Sequence, residues 1–217
     1  MYDIWPVRQR GCAIDALVVV EEREVGAGRV LYSNCSVERG FAATRLDDVA
    51  RAAGVSKGTL YLYYSSKEEL FKAVVRNSMI PLIGEAESMV DTFAGTTEEL
   101  FRIMIHTWWN NVGETELSGL PKLMMAEAGN FPELASFYQE EVIDRSERLV
   151  ASMLRRGMER GEIRQVDLEI DARLIIAPVI MMMMWKHSTG ICKVDPARLG
   201  DFLSHYIDLT LNGLRLR

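Results

Sequence analysis

The segment from Gly40 to Tyr64, GFAATRLDDVARAAGVSKGTLYLYY, constrains this chain most. Leu46, Val49, Ala50 and Ala53 recur at helical spacing and give a first helix one apolar face. Gly54 follows directly, where a left-handed C-terminal cap favours a residue without Cβ. Ser56 stands just ahead of a second helix, where its hydroxyl can cap free N–H groups. That second helix has about two turns, too few to be stable alone, so the first must hold it. It carries Lys57, Thr59, Tyr61 and Tyr63, side chains that reach phosphates or base edges. A helix so polar, set behind a tight turn, is expected to read DNA.

From Gly40 to about Arg76 the chain resembles the DNA-binding domain of the tetracycline-repressor-like (TetR) family of bacterial regulators. The matching residues run Ala53-Gly54-Val55-Ser56-Lys57-Gly58-Thr59-Leu60-Tyr61, then Tyr63-Tyr64-Ser65-Ser66-Lys67-Glu68-Glu69-Leu70. Tyr64 stands where the family usually has Phe. The resemblance implies a dimeric, all-helical repressor with an inducer pocket in its C-terminal domain. It also implies that Lys57, Thr59, Tyr61 and Lys67 contact the DNA backbone.

The expected DNA-binding set is Thr44, Ser56, Lys57, Gly58, Thr59, Tyr61, Tyr63 and Lys67. Thr44 precedes the first helix and either caps it alone or also donates to a phosphate. Lys57 and Thr59 lie early on the reading helix, within reach of base edges. Gly58 lets a backbone approach DNA at some cost in helix stability. Lys67 opens the next helix, where N–H groups and a cation together suit a phosphate. Tyr63 is expected to contact a phosphate, whereas Tyr64 is expected in the core.

Charge supports the same division. Residues 29–76 hold 8 Lys+Arg against 5 Asp+Glu, residues 1–28 hold 3 against 5, and residues 77–217 hold 14 against 21. The mildly basic segment must face the duplex, because an acidic body is repelled by it. Cys12, Cys35 and Cys192 form no CxxC pair, which fits reduced thiols in a cytoplasmic protein. His106, His187 and His205 are far apart and no metal site is expected, with His187 and Cys192 the only weak pairing. No cofactor motif appears. The longest apolar run, Leu174 to Trp185, spans 12 residues and contains Pro178, too short for a membrane span of about 20.

The organisation expected is all-α. A helix starts after Ser66 and runs towards Val90 with an interruption near Pro81; Thr96 and Glu99 form a capping box before Leu100–Trp109. A long amphipathic helix follows Pro132 and ends near Gly161. Asp167 caps an apolar helix through Trp185, and Asp195-Pro196 opens the last. The division expected is an atypical arm over 1–28, a DNA-binding domain over 29–76 with its helix-turn-helix at about 45–64, and a ligand-binding and dimerisation domain over 77–217. A helix is expected from about Arg29 to Arg39. Helical periodicity begins abruptly at Glu38, so residues 1–28 are a disordered arm, an extra helix, or the product of a displaced start or reading frame.

Sulfur and aromatic residues dominate the C-terminal half. Met104, Ile105, Trp108, Trp109, Met124, Met125, Met181, Met184 and Trp185 are the candidates for an apolar ligand pocket. The alternative is that they fill a bundle core or a dimer interface; the four consecutive residues Met181 to Met184 point around their helix and cannot all face one pocket. His106 is either a polar anchor for that pocket or an ordinary satisfied histidine. The last two helices are the expected dimer surface, with Ile176 and Phe202 as its test positions. The partners expected are a double-stranded DNA operator, an apolar small-molecule effector and a second copy of the chain, with no membrane. The rival is a helical binding protein or enzyme with a vestigial reader, although no Ser/His/Asp order, phosphate loop or metal set is visible.

Overall fold

The computed structural model describes residues 17–19, 29–31, 41–52, 54–187, 195 and 198–216. The fold is all-α apart from one three-residue ladder, in which strand β1 (Leu17–Val19) pairs antiparallel with β2 (Arg29–Leu31). The helix expected from Arg29 is therefore corrected at its start: the triplet Arg29-Val30-Leu31 pairs in extended form, and its β-branched and aliphatic residues suit a strand as well as a helix. The rest of that expected helix, and the expectation for the arm outside β1, lie outside the described residues.

Helix α1 (Leu46–Ala52) buries Leu46, Val49 and Ala50. Gly54 ends it at φ 68°, and the Val55 amide reaches back to the Ala50 carbonyl at 3.0 Å, the six-to-one bond of a left-handed helix stop. Helix α2 (Lys57–Tyr63) follows at once, capped by Ser56. Helix α3 (Lys67–Thr92) is capped by the Ser66 hydroxyl and runs 26 residues, about 39 Å at 1.5 Å per residue. It continues through Pro81, where an interruption was expected. Proline removes one backbone bond there, but Met79 and Ile83 on either side are buried and hold the rod together.

Helix α4 (Thr97–Trp108) begins with the complete Thr96–Glu99 capping box and passes into a π-helical turn, Trp109–Gly113. Helix α5 (Leu120–Glu127) leads to α6 (Pro132–Tyr138), a second π-helical turn (Gln139–Ile143) and α7 (Asp144–Glu159). The last three form the long segment expected after Pro132, widened at the π turn. Helix α8 (Leu168–Lys186) is capped by Asp167, and α9 (Leu199–Leu214) closes the bundle.

One core runs from Phe41 through α3 into the bundle. The end of α7 grips the turn between α3 and α4. Arg156 donates to the Phe93 carbonyl at 2.7 Å, the Gly95 carbonyl at 2.8 Å and Thr97 Oγ1 at 3.0 Å. Gly157 beside it allows the approach, since a Cβ there would sit 3.0 Å from the Thr97 methyl. Three carbonyl and hydroxyl acceptors for one partly buried guanidinium give a firm expectation: Arg156→Ala costs about 2–3 kcal/mol, seen as a lower urea midpoint with an unchanged m-value.

Candidate nucleic-acid interface and bundle cavity

Helix α2 owes its position to few contacts. The Ser56 Oγ accepts from the Thr59 amide at 3.0 Å and shares a 2.7 Å bond with the Thr59 hydroxyl. Of α2 only Leu60 is buried, together with Tyr64 just beyond it. Thr59 is half-buried, Lys57 and Gly58 are exposed, Tyr61 and Tyr63 are about half exposed, and Leu62 is 84% exposed. A Cβ at Gly58 would meet the Ser56 hydroxyl at 3.8 Å and nothing nearer, so packing inside the described protein does not require glycine there.

Asp47 on α1 pre-positions two of these groups. Its carboxylate accepts from Lys57 Nζ at 2.7 Å and from the Tyr61 hydroxyl at 3.4 Å, and the ammonium lies 5.5 Å from the Tyr61 ring centre. The bond to Lys57 pulls the Asp47 pKa below its ordinary value and raises that of Lys57. All three groups are exposed, so a phosphate can exchange with the Asp47 carboxylate.

Lys67 and Thr44 are placed differently. Thr44 is 5% exposed, off the surface that α2 presents. Lys67 Nζ donates to the Phe41 carbonyl at 2.8 Å and the Ala42 carbonyl at 3.0 Å. It also lies 4.7 Å from the Phe41 ring centre and 5.1 Å from that of Phe131. Phe131 packs edge-on against Phe41 at 4.9 Å. The Ala42 amide in turn donates to Glu127, a buried carboxylate at the end of α5 that also accepts from Asn130. The Asn130 bond, the backbone donors and the nearby Lys67 charge hold the Glu127 pKa below its ordinary value against desolvation. Lys67 is thus a brace between the reader, α3 and the α5–α6 turn.

The bundle holds a cavity of about 380 Å³, open to solvent on the side of the exposed Met125 and Ile143. Its walls are Met79, Ile83 and Ala86 of α3, Met104, Ile105 and Trp108 of α4, Met124 and Met125 of α5, Tyr138 of α6, and Ile175, Ile176 and Val179 of α8. Volume and lining are those of a small-molecule site, which is concave and mostly apolar.

The model for bacterial regulatory proteins of the tetR family matches residues 34–74, and that for the tetracyclin repressor-like C-terminal domain matches residues 89–200. The chain belongs to the TetR family. It is 26% identical over 186 residues to the HTH-type transcriptional repressor KstR2 of Mycolicibacterium smegmatis, covering 85% of this chain and 87% of that one. It is 26% identical over 169 residues to the HTH-type transcriptional regulator YdeS of Bacillus subtilis, covering 75% and 80%. Among solved structures it resembles the TetR-family regulator PfmR of Thermus thermophilus, with a TM-score of 0.65 at 26% identity over 83% of this chain and 94% of that one. The fatty acid degradation regulator FadR of Bacillus halodurans shares the fold, with a TM-score of 0.65 at 24% identity over 83% and 94%. TetR-family proteins are DNA-binding regulators and not enzymes.

In this TetR-family chain, Met104, Ile105, Trp108, Met124 and Met125 line the cavity, and four other expected pocket residues do not. Trp109 is core, its indole N–H donating to Glu114 at 2.6 Å. Met181 is exposed on the outer side of α8, Met184 is half-buried, and Trp185 stands edge-on to Phe202. Helical rotation explains this: Met182 and Met183 take the core positions and turn their neighbours away. His106 is exposed and outside the lining. His187 pairs with Ser118 at 2.7 Å, and burial pushes its pKa down to about 4; Cys192 lies outside the described residues. Sequence reasoning missed the α3 wall and Tyr138. The 79, 82, 83, 86 spacing on α3 carried the signal, masked by the proline within it.

The brace gives a separable prediction. Lys67→Met lowers the melting temperature while leaving the salt slope of DNA binding nearly unchanged, whereas Lys57→Ala lowers that slope by about one unit. Glu127 has a folded pKa below its unfolded one, so its stabilisation is present above the ordinary carboxylate range and lost as pH falls through the depressed value. Glu127→Gln therefore flattens the acid limb of a stability–pH curve measured by urea unfolding.

Proposed function

We propose that this chain is a ligand-responsive repressor that binds a palindromic operator as a homodimer and leaves it when an apolar small molecule fills the bundle cavity. One observation carries the reading: helix α3 begins at the Lys67 brace beside the reader and, further along, forms a wall of the cavity through Met79, Leu82, Ile83, Ala86 and Met89. The same rod serves both sites. Helix α5 makes a second link, with Met124 and Met125 on the cavity and Glu127 on the Ala42 amide. The division near residue 76 thus falls within a continuous helix, and the two functional units share it.

In this reading Lys57 and Thr59 address base edges, Tyr61 and Tyr63 address phosphates, and Leu62 is suited to a thymine methyl group. Ligand that prefers the non-binding arrangement displaces α3 and α5 and re-aims the reader. A shift from 1:99 to 99:1 needs about 5.5 kcal/mol of differential binding. The similar KstR2 of Mycolicibacterium smegmatis is a repressor, which supports repression here. None of the described helices is long and apolar enough to cross a membrane.

The dimer is assigned to the outer faces of α8 and α9, where Ile170, Leu174 and Leu209 are 59, 63 and 75% exposed. Phe202 is at the edge of this face, but Ile176 lines the cavity and does not serve as a test of association. A C2 pair places two reading helices about 34–36 Å apart, one turn of duplex.

Selection from a randomised DNA pool tests the reader: the parent enriches a palindrome, and Thr59→Ala relaxes the preference within each half-site. Enrichment of no sequence by the parent would refute operator binding. Leu174→Glu shifts the protein to monomer in sedimentation at micromolar concentration and weakens operator binding, because an unpaired charge is costly to bury. A parent that is itself monomeric refutes the arrangement.

A further inference from the structure

Most buried polar groups of the bundle are satisfied. Tyr206, 7% exposed, donates its hydroxyl to the Ile175 carbonyl, and the Trp109 indole donates to Glu114. Among the described residues Tyr138 is the exception. It is 5% exposed, lines the cavity, and packs its ring against Phe71 at 6.3 Å. Its hydroxyl has no hydrogen-bonding partner among the described residues. A buried hydroxyl left unpaired is costly and calls for an explanation, of which a ligand is one. Burial also pushes the phenol pKa up, so the group is a proton-bearing donor at any physiological pH.

The charges of the lining narrow the class further. Among the described residues that line the cavity there is no Lys, Arg or His, so an anion finds no countercharge. The one ionisable group besides Tyr138 is Glu85, an exposed carboxylate that repels anions. Gln139 already donates its amide to Asp144. A carboxylate entering this site would lose water with no positive charge to compensate it.

We propose that the cavity takes an uncharged, largely apolar molecule carrying a carbonyl or ether oxygen, and that the Tyr138 hydroxyl donates a hydrogen bond to that oxygen. This rests on the reading of the cavity as the effector site. The ligand supplies the missing acceptor, and the methionine-rich wall adapts to the hydrocarbon around it.

A four-compound series tests the class with the full-length protein: decan-2-one, decane, decanoate and decylamine. Binding is followed by the fluorescence of Trp108, which lines the cavity, and by calorimetry. The ketone is expected to bind at least tenfold more tightly than decanoate or decylamine, and more tightly than decane. Tyr138→Phe is expected to weaken the ketone about tenfold and leave decane unchanged. It should also keep or raise the melting temperature of the free protein, because it removes an unpaired group; a hydroxyl with a purely structural role would give a lower one. Equal ketone affinity in parent and Tyr138→Phe overturns the hydrogen bond. Decanoate or decylamine binding as tightly as the ketone overturns the uncharged class. Binding of none of the four overturns the proposal itself. Palindrome selection without any ligand tests operator binding independently, so a failed ligand class and a failed DNA-binding reading are told apart.

Discussion

The ammonium of Lys67 is the point on which the arrangement of the two functional regions depends. It donates to the carbonyls of Phe41 and Ala42 and sits near the faces of Phe41 and Phe131. The segment that enters the helix-turn-helix is thereby tied to the first turn of α3. Glu127, accepting from the Ala42 amide, ties that segment to the end of α5 as well. A cation held by two carbonyls between two rings, with a carboxylate nearby, is directional in a way that an apolar contact is not. It holds the segment before α1 against α3 and the α5–α6 turn.

That joint matters because α2 has little of its own to hold it. Leu60 and Tyr64 anchor it, Ser56 caps it and bonds the half-buried Thr59, and its other side chains are exposed. A two-turn helix with one buried residue depends on its neighbours for its existence. In the proposed reading, a displacement of α3 or α5 by cavity contents is passed to α2 through these contacts. The cavity is well placed for such an effect, since both helices contribute walls to it and both end or begin at the joint. Interiors are close-packed, and a partly open cavity of about 380 Å³ leaves apolar walls that a ligand would cover.

Local sequence carried the elements that depend on local chemistry. Gly54, Ser56, Ser66, Thr96 and Asp167 each do at the helix ends what their side chains or backbone freedom predict. These effects act over three or four residues, so a single chain displays them without any alignment. The same reach explains the all-α fold and the exposed set Lys57, Tyr61 and Tyr63. It failed at Arg29–Leu31, where β-branched and aliphatic residues suit either structure and pairing with Leu17–Val19 decided.

What the tertiary structure alone decided is which apolar residues meet around a void and which polar groups meet across the chain. Composition marked the methionine-rich segments, but helical rotation separated Met124 from Met181 and sent Trp109 to the core. The place of Lys67 at a helix start is local and legible in sequence, whereas its carbonyl acceptors lie 25 and 26 residues away and are not. The Tyr138 hydroxyl, without a partner among the described residues, has no sequence signature at all, since only three dimensions show which acceptors surround it. Periodicity determines that a helix has an inner face; only the packing of helices determines whether that face meets a neighbour, a second subunit or an empty space.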